Sequence, residues 1–284
     1  MGFLWASELG YWDFRWHGGA GMFAWIRERR RRRWLEPPFP AAWDEILWRH
    51  VKLTARLPSD LAARWRQRIQ VFVHATSWEG CRGFEITDEV RVVIAANAML
   101  LTLGFDDEWL DRVRHVLVHP TPYQGQRARI GAEGIDYSHG DWLQQLEDDV
   151  PDEHFGEAWV ESGTVILVWS EVPTAEHITT PGQNVVLHEF AHVMHEQRSA
   201  WMQAARTEDD VAWLTAFESE FARQVRESDR GRRTLLDDYA AESPEEFFCV
   251  ATEGFFERPN RMLEKRPSLY RLWRQCYGID PAAR

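Results

Sequence analysis

Val185-Val186-Leu187-His188-Glu189-Phe190-Ala191-His192-Val193-Met194-His195 is the stretch on which the reading of this chain turns. Its His-Glu-x-x-His pattern predicts a helix with two imidazoles one turn apart on one face. That arrangement can grip one zinc ion, with Glu189 beside it to handle a proton. Leu187, Phe190, Ala191 and Met194 form an apolar stripe that must pack inward, and His188, His192 and His195 run along its edge. Upstream, Thr180 reads as N-cap, Pro181 as first helical residue and Gln183 as partner in a capping box, which predicts a helix starting at Pro181. The competing reading is two surface histidines on a solvated helix. A third ligand would displace it.

Candidates for that ligand lie downstream, in Asp237-Asp238-Tyr239-Ala240-Ala241-Glu242-Ser243-Pro244-Glu245-Glu246-Phe247-Phe248-Cys249-Val250-Ala251-Thr252-Glu253. Ser243 caps and Pro244 opens a second helix, with Phe247, Val250, Ala251 and Phe255 as its apolar face. Glu246 and Glu253 stand seven residues apart, hence on nearly the same side, while Glu245 points about 100° away. Spacing alone leaves both Glu246 and Glu253 open.

Working outward, Gly163 to Ser170 is the strongest strand signal in the chain, nearly continuous and β-branched. It is expected either to pair its backbone with an extended substrate above the metal or to serve as an ordinary core strand. Val113 to Pro120 alternates as a second strand, and Phe84 to Thr87 reads as a short one after a turn over Trp78 to Gly83. Residues 41–74 carry two amphipathic helices, residues 89–103 another, and residues 121–157 read as irregular with a short hairpin. His119, His139 and His154 read as surface or hydrogen-bonding histidines. Pro37-Pro38-Phe39-Pro40 marks a boundary between an N-terminal Trp/Arg-rich extension, residues 1–36, and a single domain, residues 37–284. The extension's run from Arg27 to Arg33 reads chiefly as a solvated helical arm, with weak contact to an anionic membrane surface as the alternative. The expected fold class is α+β: a small mixed or antiparallel sheet packed on the two helices, with a helical region before it.

The 284 residues, 44% hydrophobic, can bury a substantial core. Thirty-three basic against 45 acidic residues give a net charge of -12, which argues against direct nucleic-acid binding and for a peptide or protein substrate. Cys81, Cys249 and Cys276 show no metal-ligand spacing and suit a reducing cytoplasm. No apolar run is long enough to span a bilayer, and no signal peptide is legible, so a cytoplasmic location is expected.

The pairing of Val-Val-Leu-His-Glu-Phe-Ala-His at 185–192 with Asp-Tyr-Ala-Ala-x-x-Pro-x-Glu-x-Phe at 238–248 resembles the Mlc titration factor A family of bacterial zinc metallopeptidases. Gly83 to Arg91, Ile94-Ala95-Ala96 and Pro267-Ser268-Leu269 carry the resemblance over most of residues 37–280. It implies a zincin-like core similar to that of anthrax lethal factor. It also implies His188, His192 and Glu246 as ligands of one zinc ion per chain, Glu189 as general base, and Tyr239 as a hydrogen-bonding aid to the developing oxyanion. The implied activity is peptide hydrolysis, aminopeptidase-type rather than broadly endopeptidolytic. The implied alternative is a regulatory protein that sequesters a transcriptional repressor. After His192 the chain leaves the family's pattern with Val193-Met194-His195-Glu196, which implies a longer helix and an altered cleft, with His195 a surface residue or substrate contact.

Overall fold

A computed structural model describes residues 22–51, 57–105, 112–124, 153–154, 156–159, 162–177, 182–204, 207–232 and 234–283. Three helices come first: α1 (Met22–Leu35), α2 (Ala41–His50) and α3 (Ser59–Ala75). Strand β1 (Ser77–Gly80) follows, then α4 (Asp88–Leu100), β2 (His115–His119), β3 (Tyr123–Gln124), β4 (Glu153–His154), β5 (Gly156–Trp159) and β6 (Thr164–Val168). The chain closes with α5 (Val185–Ala204), α6 (Glu208–Ser228), α7 (Pro244–Glu257), α8 (Pro259–Lys265) and α9 (Pro267–Tyr277). This is an α+β architecture, mostly helical, around a small mixed sheet.

The sheet runs β1-β2-β6-β5, parallel from β1 through β6 and antiparallel at β5; β3 and β4 form a separate antiparallel pair with residues 125–152 between them, not the short hairpin expected. All five residues of β6 are buried, as the unbroken apolar run Val165-Ile166-Leu167-Val168 requires. Gly163 leads into β6 at φ +70°, where a side chain's Cβ would come within 2.3 Å of the Arg112 carbonyl oxygen. The expectation that β6 offers its backbone to a substrate is corrected by this topology. β2 hydrogen-bonds one of its edges and β5 the other, so its ladder is already filled, and the edge strand beside α5 is β5.

Two local expectations also change. Trp78 to Gly80, expected in a turn, belong to β1, paired with Val116 to Val118. Phe84 to Thr87, expected as a strand, form the lead-in to α4, where Thr87 Oγ1 caps the helix by accepting from the Val90 amide. Helix α4 then runs apolar from Val92 to Leu100 except at Asn97, and this stretch is buried throughout. Its companion α7 is equally enclosed from Phe247 to Phe256. Trp273 on α9 stacks on Phe217, meets Phe247 edge-on and packs tilted against Trp213 and Phe248, an aromatic core that fixes α6, α7 and α9 together. At the other end, the Gln70 side chain on α3 donates to the carbonyls of Trp34 and Pro37, tying the last turn of α1 to the domain.

Candidate metal centre

Helix α5 begins at Val185, four residues later than the capping box predicts. Thr180 and Pro181 lie outside the described residues, and Gln183 precedes the helix. Asn184 does the capping instead: its Oδ1 accepts from the Leu187 amide at 3.2 Å. The Asn184 side-chain amide donates to Asn97 Oδ1 on α4 at 3.0 Å and to Glu257 Oε1 on α7 at 2.8 Å. Its backbone amide donates to Glu253 Oε2. Helix α5 is therefore phased by partners from two distant helices. It continues to Ala204, in keeping with the longer helix expected beyond His192.

Helix α7 starts where its sequence says. Ser243 Oγ accepts from the Glu246 amide at 3.1 Å, Pro244 occupies the first turn, and Glu245 points away into solvent. This places Glu246 opposite the two histidines of α5. Glu246 Oε2 lies 3.1 Å from His188 Nε2, and its other oxygen lies 3.6 Å from His192 Nε2. Tetrahedral zinc with metal-to-ligand bonds of roughly 2.0 to 2.2 Å sets its ligand atoms about 3.3 Å apart, close to both of these Glu246–imidazole separations. Glu253, one face-repeat along α7, takes the far side of His188: its Oε1 lies 2.8 Å from Nδ1. The two acidic candidates thus divide one imidazole between them.

The charges follow from this geometry. Burial works against a charged His188, yet its hydrogen bonds to Glu246 and Glu253 and the nearby Glu189 carboxylate override it and raise the group to about 10. Burial and the cationic His188 push His192 down to about 4. Burial resists ionisation of Glu246, but hydrogen bonding to His188 and the charges of both histidines hold it below the usual carboxylate range. Burial raises Glu253. A proton on His188 thus stands where three carboxylates call for positive charge, a donor set suited to a divalent cation.

Glu189 is buried beside His188, on α5. Tyr239 lies in a 3-10 turn, Asp238–Ala241, held by Asp237 Oδ1 accepting from the Tyr239 amide at 3.0 Å. Its ring centre is 6.0 Å from that of His188 and the side chain is 38% exposed, so it borders the site from the open side. Burial first, then Glu246, raise its hydroxyl above the ordinary tyrosine range, keeping it protonated. His195 sits outside the donor set, its ring 5.2 Å from Phe248. His119, at the end of β2, is depressed to about 4 by burial and Arg82; His139 lies outside the described residues.

Sequence reasoning passed over Asn184 and Cys249. Asn184 was hidden because its partners are 69 to 87 residues away. Cys249 had a signal: it stands three residues after Glu246, on the same side of α7. The ligand atoms of His188, His192 and Cys249 all lie within 4.8 Å of one another. Burial, followed by the Glu246, Glu189 and Glu253 carboxylates, raises the Cys249 thiol well above its usual range.

A glutamate-bearing helix set against a His-Glu-x-x-His helix is an arrangement that a metallopeptidase can use. The model of the glucose-regulated metallo-peptidase M90 family matches residues 25–278, and the chain belongs to that family. It is 30% identical over 255 residues to an uncharacterised protein of Synechocystis sp., covering 89% of each chain. It is 26% identical over 255 residues to Mlc titration factor A of Salmonella typhi, covering 85% of this chain and 87% of that one. Mlc titration factor A of Salmonella typhimurium matches to the same extent. No helix among the described residues is long and apolar enough to cross a membrane.

Proposed function

We propose that this chain is a zinc-dependent peptidase. The observation that carries the reading is the Glu246 carboxylate, whose two oxygens face the Nε2 atoms of His188 and His192 at 3.1 and 3.6 Å. His188, His192 and Glu246 hold one zinc ion. Bound there, zinc would acidify a water molecule and polarise a peptide carbonyl. Glu253 keeps a proton on His188 Nδ1 and so presents Nε2 as the donor. Glu189, buried at the foot of the same helix turn, takes the proton from the attacking water and passes it to the departing amine. Tyr239, protonated and on the open side, donates to the oxyanion as it develops.

An extended peptide would lie along β5, the edge strand beside α5, adding a strand to the sheet. The net charge of -12 favours peptides with a free cationic N-terminus, the aminopeptidase type of substrate. The test is metal analysis of the purified protein alongside a panel of chromogenic aminoacyl and peptide substrates. About one zinc per chain with turnover supports the reading. Protein that cannot be loaded with metal and turns nothing over sinks it.

A second reading rests on the name of the Salmonella relatives, titration factor for Mlc. This chain would then bind a transcriptional regulator, with hydrolysis secondary. A His188→Ala variant that loses metal but captures the regulator as well as the unaltered protein favours binding over catalysis.

A further inference from the structure

Of the three cysteines, Cys249 alone has its sulfur among the donors of the metal centre. It is 0% exposed, it projects from the same side of α7 as Glu246, and its Sγ lies within 4.8 Å of the ligand nitrogens of both His188 and His192. Glu246, in the first turn of α7, faces the Nε2 atoms of both histidines; Cys249, three residues on and buried, has its Sγ within 4.8 Å of a ring nitrogen of each. Nitrogen and sulfur ligands of one zinc ion stand about 3.6 Å apart, so a shift on the order of 1 Å brings the sulfur into bonding range. Soft thiolate donors favour zinc, cadmium and cuprous ions over magnesium, calcium or manganese.

Resting on the zinc-peptidase reading above, we propose that Cys249 is a fourth metal ligand, closing a two-nitrogen, one-oxygen, one-sulfur set in the resting protein. The sulfur-metal bond forms as the thiol releases one proton to solvent, so metal uptake liberates that proton. Four protein ligands make a closed site, whereas hydrolysis needs one open position. Cys249 therefore acts as an internal plug: the sulfur must leave the metal before a water molecule can be activated. It also makes the site selective for thiophilic ions.

Cobalt(II) reports a thiolate ligand directly, through an intense near-ultraviolet sulfur-to-cobalt charge-transfer band absent from nitrogen and oxygen sites. The full chain, stripped of metal and titrated with cobalt(II), should show that band at one equivalent. A Cys81→Ser/Cys276→Ser double variant should keep it. Cys249→Ser should bind cobalt, show only the weak visible bands, and hold cadmium at least about tenfold less tightly in a chelator competition.

Cobalt bound by the unaltered chain without the charge-transfer band overturns the proposal and leaves the zinc-peptidase reading intact; so does a band that disappears in the double variant. Failure of the unaltered chain to bind cobalt or zinc at all overturns both. Because the decisive spectrum comes from the unaltered and double-variant chains, the result stands even where the buried Cys249→Ser substitution disturbs folding.

Discussion

His188 and His192 share a helix, a face and a carboxylate, yet the two sides of the site they define are built differently. His188 is gripped at both ring nitrogens, by Glu246 at 3.1 Å and Glu253 at 2.8 Å, and Glu253 is itself braced by the Asn184 amide. His192 faces the same Glu246 at 3.6 Å and is more exposed, 22% against 13% for its neighbour's side chain. One histidine is raised to about 10 and the other lowered to about 4. The lesson is that a motif gives two equivalent imidazoles, while the supporting carboxylate makes one a fixed anchor and the other an adaptable arm.

The severest challenge to this comparison is Glu246→Ala, which removes the carboxylate both sides share. Metal affinity in a chelator competition should fall at least about tenfold, with His188, His192 and Cys249 left to hold the ion, and hydrolysis should fall by at least about four orders of magnitude. Unchanged metal affinity would mean that Glu246 is not the common partner. Glu189→Gln leaves every proposed ligand in place, so metal content should hold while kcat drops on the order of 10^2 to 10^4-fold. Undiminished turnover in that variant would remove Glu189 from the proton path.

Tyr239→Phe should lower kcat about a hundredfold with KM little changed, since an oxyanion donor acts only as charge develops. A change confined to KM would recast Tyr239 as a substrate contact. Glu253→Gln tests the anchor side alone. Metal affinity in a chelator competition should weaken roughly ten- to a hundredfold, and an unchanged affinity would erase the distinction between the two histidines.

The smallest effect is on the stability of the metal-free protein against pH. His188 is raised from 6.5 to about 10, so its contribution is full below pH 6.5 and is lost as pH climbs toward 10. His192 is lowered from 6.5 to about 4, so its contribution is present above pH 6.5 and is lost as pH falls toward 4. Melting temperatures in chelator should decline on both sides of pH 6.5, and His188→Gln should flatten the alkaline limb and lessen the acid one, since the cationic His188 helps to depress His192.

How much of this was legible depended on where each residue's partners lie. The start of α7 was readable because Ser243 and Pro244 act on atoms three residues away or less. The start of α5 was misplaced because Thr180, Pro181 and Gln183 satisfy a local pattern, while the decisive cap, Asn184, is selected by Asn97, Glu253 and Glu257. Strand β1 was hidden for a similar reason. Gly80 and Gly83 read as a turn, but Ser77–Gly80 is held by pairing with β2, 38 residues on. His188 and His192 were visible as residue types and spacing, whereas spacing left Glu246 and Glu253 open and only the family resemblance singled out Glu246. That Glu246 and Glu253 serve the same imidazole was not visible, since seven residues on a helix place both on one side without saying what lies across from them.

The three-way tie at Asn184 has a consequence for the newly made chain. The contacts that orient His188 and start its helix close loops of 65 to 87 residues, linking α4, α5 and α7. Such long-range contacts form late in folding, after the local helices. A ribosome-bound or partly folded chain carries the whole His-Glu-x-x-His motif but lacks the far wall that completes it. A proteolytic centre assembled this way stays inert while its own unfolded segments are close at hand.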